Sequence, residues 1–445
     1  MRKFIILLFS LFILAISADS TYAYDPVLVP NNIYGIGIIN HTDLKDVSDL
    51  VNVNGGDWGY VTIVITEDQM ERTVWQKFFD ECRRLHLIPI VRVSTRFNSD
   101  ITSLSYGTWE IPSVEKIDGW VNFFNSLNWV VENRYVVILN EPNHAKEWGG
   151  KIDPTGYATY LKTFSERLKN SSPDYFVLNA GLDQSALNTR VSMDQKLFMD
   201  KMVKAVPDVF NFIDGLSSHS YPNPAFSGVP NATGRKSIKG YDWELGLIKS
   251  YGVKKELPVF ITETGWVRTS KNEKIVTDKL KYAFENVWSK DKRVVAVTPF
   301  ILNYQDEPFY EFSWKNKDGS YFQMYKEIQN LPKVKGEPVQ KINGEVLFTF
   351  LNPLATSFDQ KKGYALVRNV GQSIWNKQDI KLSVSNNNFE VKDIELNSLS
   401  PISSGLLVYT LKFPQIPDFY ELNIGFYVNN QKIGDIYNGK IITFP

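Results

Sequence analysis

The sequence predicts an α/β fold, a (β/α)8 TIM barrel, followed by a small all-β sandwich. Eight short apolar runs lie between residues 33 and 301, and helix-length amphipathic segments follow most of them, which is typical of parallel β/α units. No glycine-rich phosphate loop follows any run, which disfavours the alternative, an open doubly wound sheet. From residue 342 the pattern changes to short alternating strands separated by Asn, Gly, Ser and Pro, as in an antiparallel sandwich.

The predicted elements follow one another in strand–helix order. The strand runs are 33–39, 58–65, 88–94, 134–139, 175–179, 212–217, 258–262 and 294–301. The helical segments are 74–87, 114–127, 154–169, 195–206, 243–251, 280–288 and 321–331. In the third helical segment, Tyr157, Leu161, Phe164 and Leu168 recur at the spacing of one helix face. Eight such units that close on themselves form a barrel.

The first 23 residues have the pattern of a secretory signal peptide. Arg2 and Lys3 precede an apolar run from residue 4 to 16, and Ala23 ends a plausible cleavage site. The run is shorter than the about 20 residues that span a bilayer. We therefore predict a secreted or extracytoplasmic protein with no stable membrane insertion after signal cleavage; an uncleaved anchor is the alternative.

Three segments follow the predicted signal peptide. The barrel is expected over residues 24–332, a charged linker with proline over 333–341, and an Ig-like β-sandwich over 342–445. In the last segment, Asn369, Gly371 and Trp375 resemble the Asn-x-Gly-x-x-x-Trp signature of Ig-like modules. Trp375 is the only tryptophan of this segment, and we expect it in the core of a domain that serves as a spacer.

Composition excludes several classes of function. Lys and Arg together number 49, as do Asp and Glu, so no basic excess exists to bind nucleic acid. Cys82 is the only cysteine, and the four histidines show no HExxH spacing. We therefore expect no disulfide framework, no metal site and no cofactor.

Two carboxylates directly follow predicted strands. Glu141 follows the fourth strand and Glu263 follows the seventh. In a (β/α)8 barrel the C-terminal strand ends meet at one mouth, so the two side chains are expected to converge there. Two carboxylates on either side of a glycosidic bond are what glycoside hydrolysis needs. One protonates the leaving oxygen, while the other attacks the anomeric carbon or holds the attacking water.

These segments resemble clan A glycoside hydrolases, a superfamily of retaining (β/α)8 enzymes. The resemblance covers about residues 30–330 and rests on Asn140-Glu141-Pro142 and on Thr262-Glu263-Thr264-Gly265-Trp266. It implies that Glu141 is the acid/base and Glu263 the nucleophile, and that Asn140 binds the sugar 2-hydroxyl. Such chemistry requires a protonated Glu141 and an ionised Glu263 before reaction.

Further segments extend the resemblance, and one residue departs from it. His219 and Tyr221 resemble the clan's His-x-Tyr segment, in which one of the two side chains hydrogen-bonds the nucleophile or the sugar. Many members carry an arginine at the end of strand two, where this sequence has none. Arg92 on the third strand either replaces that arginine or points towards the helices.

Several other side chains are candidates for binding substrate. Trp266 and Tyr304 offer rings on which a sugar can stack, and Asn143 and His144 lie just beyond the acid/base, where they are expected to line a subsite. Asp183, after the fifth strand, is expected to cap a helix rather than to contact sugar.

We therefore predict a secreted retaining glycoside hydrolase that cleaves O-glycosidic bonds of a β-linked oligo- or polysaccharide. Its expected partner is the carbohydrate substrate; the oligomeric state is left open. One alternative is a catalytically inactive glycan-binding or cell-envelope protein on the same barrel. Another is a transglycosidase that uses the same residues.

Overall fold

The computed structural model describes residues 23–99 and 107–445. The predicted signal peptide, apart from Ala23, lies outside the described residues. The predicted boundaries of the barrel, the linker and the sandwich remain predictions.

Eight parallel strands form a closed barrel over the first part of the chain. They are β1 (Gly35–Gly37), β2 (Gly59–Thr66), β3 (Leu87–Ser94), β4 (Arg134–Ile138), β5 (Tyr175–Leu178), β6 (Leu216–His219), β7 (Val259–Glu263) and β8 (Val294–Val297). Strands β1 to β5 pair in sequence order, as do β6 to β8. Bridges Leu178–Gly215 and Tyr34–Val297 join the two sheets and close the ring. This confirms the predicted fold class and excludes the open sheet.

A helix follows each barrel strand. The helices are α1 (Leu44–Val51), α2 (Arg72–Arg84), α3 (Ile117–Asn125), α4 (Pro154–Ser171), α5 (Gln195–Ala205), α6 (Gly240–Ser250), α7 (Glu273–Asn286) and α8 (Gln323–Gln329). The sequence did not predict the short helix α1. None of the helices in the described ranges is long and apolar enough to cross a membrane.

The sixth strand begins and ends later than predicted. Residues 209–211 form a 3-10 helix, and the strand spans 216–219 rather than 212–217. The apolar side chains of Phe212 and Ile213 precede the strand, and the Asp214 carboxylate accepts a hydrogen bond from Val177 N at 2.7 Å. A continuous apolar run does not mark where pairing starts. The shift makes His219 the last residue of β6.

Aromatic side chains fill the barrel interior below the mouth. Tyr135 and Phe260 pack with ring centroids 5.2 Å apart although β4 and β7 lie three strands apart around the barrel. Phe176 lies 5.2 Å from Tyr135 and 5.6 Å from Phe260. All three are buried. Such a filled interior leaves the strand ends as the place where side chains meet an open surface.

Two four-stranded sheets follow the barrel. Their strands are β9 (Gly344–Phe350), β10 (Leu354–Thr356), β11 (Gln360–Asn369), β12 (Ile380–Val384), β13 (Glu390–Glu395), β14 (Ser404–Lys412), β15 (Phe419–Val428) and β16 (Gln431–Phe444). One sheet has the order β9-β11-β14-β13 and the other β10-β16-β15-β12. Trp375 is fully buried and packs edge-on against Phe426, with centroids 5.8 Å apart, which confirms its predicted place in the core.

The sandwich contacts the barrel at the end opposite to the mouth. Gln372 Nε2 donates to Val131 O at 2.9 Å, and Lys341 Nζ lies 2.5 Å from Asp174 Oδ1. Val131 lies three residues before β4, and Asp174 directly precedes β5, so both lie at the N-terminal strand ends. The sandwich is therefore remote from the residues predicted to be catalytic.

Candidate active site

Glu141 and Glu263 meet at the C-terminal strand ends, as expected for a barrel. Glu263 is the last residue of β7. Glu141 follows β4 in a tight turn in which Leu139 and Glu141 have positive φ angles of 71° and 29°. Positive φ is costly for residues with a Cβ and is found where surrounding contacts impose it. Glu141 N donates to Gly181 O at 3.1 Å, which helps to hold the turn.

His219 lies between the two carboxylates. Its Nδ1 is 2.9 Å from Glu141 Oε1 and 3.7 Å from Glu263 Oε2. One carboxylate oxygen of each glutamate and a ring nitrogen of His219 all lie within 4.8 Å of one another. The two acids are therefore close enough to act on the same atom of a ligand.

The imidazole of His219 is buried beside Gly181, where only a glycine leaves room for the ring. A Cβ added at Gly181 would lie 2.0 Å from His219 Cδ2, so the ring packs directly on the backbone. Burial works to lower the pKa of His219, but the charges of Glu263 and Glu141 and the hydrogen bond to Glu141 outweigh it and raise the pKa. His219 thus carries positive charge readily between two acids.

Glu263 accepts hydrogen bonds at both oxygens. Arg92 Nη1 donates to Oε1 at 2.5 Å, and Tyr221 Oη donates to Oε2 at 3.2 Å. Burial works to raise the pKa of Glu263, but the charges of His219 and Arg92 and the bonds from Arg92 and Tyr221 lower it below its ordinary value. The ionised form of this acid is therefore favoured.

Arg92 points into the barrel mouth and not towards the helices. The same Nη1 that binds Glu263 also donates to Asn140 Oδ1 at 2.6 Å. An arginine on β3 therefore provides the positive charge that the sequence lacks at the end of β2, and it brings Asn140 next to the two acids.

His144 forms a pair with Asp183 beside this centre. His144 Nε2 lies 2.9 Å from Asp183 Oδ2. Burial works to lower the pKa of His144, but the hydrogen bond to Asp183 and the charge of Glu141 raise it. Burial works to raise the pKa of Asp183, but the bonds from His144 and from Ser185 N lower it. Asp183 therefore caps a turn at Ser185 rather than a helix.

Two residues that were predicted to bind substrate have buried side chains. Asn143 is fully buried, and its Nδ2 donates to Asp183 O at 3.0 Å and to Met193 O at 3.1 Å. Trp266 is 2% exposed, and its indole N–H donates to Gly228 O at 2.8 Å. Both predictions are corrected, because these side chains hold loops together and present no face to a ligand.

Tyr304 lies in a group of aromatic side chains at the β6–β8 side of the mouth. Its ring packs edge-on against Phe309 at 5.4 Å, and Phe309 packs against Phe300 at 5.3 Å. Phe312 contacts both Phe300 and Tyr221 in this group, with centroids 6.0 and 6.1 Å away. These rings connect Tyr304 to Tyr221, which donates a hydrogen bond to Glu263.

The chain is similar to known proteins in structure and not in sequence. No protein-family model and no curated protein matches the sequence. A β-xylosidase from Caulobacter crescentus CB15 is 12% identical, with 86% of this chain and 97% of that chain covered and a TM-score of 0.48. A family 39 glycoside hydrolase from Bacteroides cellulosilyticus WH2 is 14% identical, with 85% and 80% covered and a TM-score of 0.46.

A β-mannanase from Thermomonospora fusca is 13% identical, with 67% of this chain and 89% of that chain covered and a TM-score of 0.42. All three are glycoside hydrolases. Sequence identity this low leaves the roles of individual residues to be argued from the geometry of the site itself.

Sequence reasoning missed two residues of this site. Glu147 lies in the loop that begins with Glu141; it is buried, and burial raises its pKa to about 7, against the charges of Lys146 and Arg92 and a hydrogen bond with Asn140. Phe300, in the aromatic group, follows β8 closely. Phe300 lay inside the predicted strand run 294–301, which ends at Val297 in the structure, and Glu147 stands in no motif, so neither residue had a usable signal in the sequence.

One cluster of side chains in residues 23–99 and 107–445 has ligand atoms close enough to share a metal ion. It consists of Glu141, His219 and Glu263. The guanidinium of Arg92 already lies 2.5 Å from Glu263, and its positive charge opposes a cation at the same oxygen. The arrangement is suited to acid–base and nucleophilic chemistry by the side chains themselves.

Proposed function

We propose that this protein is a secreted glycoside hydrolase that cleaves a β-linked oligo- or polysaccharide with retention of configuration. The observation that carries the proposal is the approach of Glu141 and Glu263 oxygens to within 4.8 Å. Retaining enzymes hold their two carboxyl groups about 5–5.5 Å apart, whereas inverting enzymes need about 6.5–9.5 Å to admit a water. The short separation favours direct attack by one of the acids.

The surroundings of the two acids divide their roles. Glu263 accepts bonds from Arg92 and Tyr221, which favour its anion and suit a nucleophile. Glu141 has neither of these partners and faces His219. We therefore assign attack on the anomeric carbon to Glu263 and proton transfer to Glu141.

The proposed reaction has two steps. In the first, the Glu141 carboxyl gives its proton to the glycosidic oxygen while Glu263 bonds to the anomeric carbon, so the leaving alcohol departs and a glycosyl ester forms. In the second, Glu141 takes a proton from water, whose oxygen attacks the anomeric carbon and breaks the ester bond. The free sugar leaves, and both acids return to their starting protonation states.

Esterification also changes the electrostatics of the site. The negative charge of Glu263 disappears while its ester exists, whereas Arg92 keeps its positive charge nearby. Nearby positive charge favours the ionised form of a carboxyl group. The loss of the Glu263 charge therefore favours ionised Glu141 in the second step, where Glu141 serves as the base.

Substrate binding is assigned to the side chains around this pair. Asn140 is held by Arg92 beside the acids, and we assign it the contact with the sugar hydroxyl next to the reacting carbon. Tyr304 and Phe300 provide half-buried aromatic surface at the mouth, on which the C–H face of a sugar ring can pack. His144 remains a candidate for the leaving-group side because it adjoins Glu141.

The test is a panel of aryl β-glycosides with β-glucan, xylan and mannan. The wild type is compared with Glu263→Gln, Glu141→Ala and the exposed control Glu256→Gln. We expect Glu263→Gln to lose at least about 10³-fold in kcat, and azide to restore turnover of an activated aryl glycoside by Glu141→Ala. The first sugar that the wild type releases from a β-glycoside, followed by proton NMR, should be the β anomer.

Other outcomes separate the alternatives. A first product with the α configuration would contradict retention. A wild type that binds glycans but turns none over, with Glu263→Gln binding equally well, would indicate the inactive glycan-binding alternative. Products longer than the substrate, formed when a sugar acceptor is added, would indicate a transglycosidase.

A further inference from the structure

Another buried acid lies behind the strand that carries His219. Glu244 on α6 is 2% exposed, and it accepts hydrogen bonds from three side chains that are themselves buried. Gln195 Nε2 donates at 2.5 Å, Gln184 Nε2 donates at 3.1 Å, and Ser218 Oγ also donates. Because three side chains donate hydrogen bonds to Glu244 and none of them is an acid, the pocket suits an ionised carboxylate.

The cluster is connected to both strand ends of the candidate active site. Ser218 and Ser220 flank His219 in sequence, and their hydroxyl oxygens lie 2.8 Å apart. Thr264, the residue after Glu263, donates its hydroxyl to Ser220 O at 2.7 Å. The bonds of Glu244 therefore continue through serines to the residues on either side of the catalytic centre.

The charges around His219 come from five elements. They belong to Arg92 on β3, Glu141 after β4, Asp183 after β5, Glu244 on α6 and Glu263 at the end of β7. Four of these groups are acids, and Glu244 is the only one on the helix side of β6. Glu263 changes charge during the proposed reaction, whereas Glu244 takes no part in it.

We propose that Glu244 is a positioning residue whose carboxylate, buried behind β6, adds to the charges of Glu141 and Glu263 in keeping His219 in its charged imidazolium form. A negative charge stabilises a nearby positive charge more strongly in the low-dielectric protein interior than in water. The proposal rests on the proposed function only for the roles of Glu141 and Glu263. The attraction between Glu244 and His219 does not depend on turnover.

The attraction depends on pH in a defined direction. Burial raises the pKa of Glu244 to about 7, against its hydrogen-bond donors and the charge of His219, which lower it. Below that pH Glu244 is neutral and does not stabilise the imidazolium; above it, the carboxylate adds to the acids that favour the proton on His219. The effect on His219 is therefore confined to neutral and alkaline pH.

The decisive measurement is an NMR titration of the imidazoles in Glu244→Gln. The chain has four histidines, so His219 can be assigned with a His219→Asn reference. The variant is well tolerated on geometric grounds, because Gln195 Oε1 has no partner and a flipped Gln195 amide would accept from the new side chain. We expect the His219 midpoint to fall by roughly 0.5–1.5 pH units.

Two controls make the result specific. The exposed Glu256→Gln should leave the His219 midpoint unchanged, and the midpoint of His144 should not move in Glu244→Gln. An unchanged His219 midpoint in folded Glu244→Gln would overturn the proposal. If that variant does not fold, Ser218→Ala removes one donor from the carboxylate and should lower the midpoint in the same direction, and no change there would overturn the proposal as well.

Kinetics give an independent readout. The kcat/KM profiles of the wild type and Glu244→Gln should coincide below about pH 6 and separate above about pH 7. A uniform loss at every pH would show that Glu244 acts only on folding or packing and would overturn the proposal. A wild type without glycosidase activity would contradict the proposed function alone, since the NMR titration does not need turnover.

Discussion

Arg92 Nη1 lies 2.5 Å from Glu263 Oε1, although the two residues are 171 positions apart in sequence. The same nitrogen donates to Asn140 Oδ1 at 2.6 Å. One guanidinium therefore fixes the acid of β7 and the amide that follows β4. A charged donor at this distance is among the stronger hydrogen bonds in proteins, and here it favours the ionised form of the proposed nucleophile.

Removal of this guanidinium should weaken catalysis and change its pH dependence. We expect Arg92→Met to lose roughly 10²–10³-fold in kcat/KM, because a preorganised charge is lost beside the reacting acid. Without Arg92 the pKa of Glu263 rises towards its ordinary value, so the acid limb of the kcat/KM profile should move to higher pH. Arg96→Lys, an exposed change at the rim, is the control, and an unmoved acid limb in Arg92→Met would contradict the assignment.

The hydroxyl of Tyr221 should matter less than Arg92. Tyr221→Phe removes a 3.2 Å hydrogen bond to Glu263 Oε2, and bonds to charged groups are worth about 1.5–3 kcal/mol. We expect kcat/KM to fall roughly 10- to 100-fold, with the fold intact by circular dichroism. Tyr251→Phe is a matched control, because its hydroxyl lies 2.6 Å from an Asp200 oxygen on the outer helices. An equal loss of kcat/KM in both variants would argue against a specific role.

Substitution of Trp266 should affect stability, whereas substitution of Tyr304 should affect substrate binding. Trp266→Phe removes a buried hydrogen bond and leaves a small cavity, so we expect it to lower the free energy of unfolding by about 1–3 kcal/mol with little change in KM. Tyr304→Ala should raise the KM for a polymeric glycan roughly three- to tenfold through lost stacking. Urea denaturation and steady-state kinetics on both variants check this. A large KM effect in a fully stable Trp266→Phe would restore the predicted stacking role.

Glu147 should make stability depend on pH. The pKa of Glu147 is raised from 4.5 to about 7 in the folded chain. Its contribution to stability is therefore fully present at pH values below 4.5 and is lost as the pH rises through about 7. One such group lowers the free energy of unfolding by about 3 kcal/mol across that window. Glu147→Gln should therefore gain stability relative to the wild type at pH 8 but not at pH 4.5.

Urea denaturation at those two pH values tests the stability prediction. The exposed Glu115→Gln serves as the control and should behave like the wild type at both. Glu244 contributes a decline of the same sign, so Glu147→Gln should remove only part of the pH dependence. A difference between Glu147→Gln and the wild type that is the same at both pH values would contradict the prediction.

The sequence by itself determined the succession of elements and the position of the two acids. Alternating strands and helices are local patterns, and each follows from side chains a few residues apart. The strand ends at Glu141 and Glu263 were predictable for the same reason, because each acid breaks an apolar run. Once eight strands close in order, the C-terminal ends must share one mouth.

Only the tertiary structure decided which way the other side chains point. Arg92 stands between two valines, and a barrel strand is apolar on both faces, so alternation does not show which face is inside. Trp266 and Asn143 looked available for substrate but are covered by loops from distant parts of the chain. The partners of Glu244 also depend on closure of the ring, because Gln184, Gln195 and Ser218 come from segments distant in sequence.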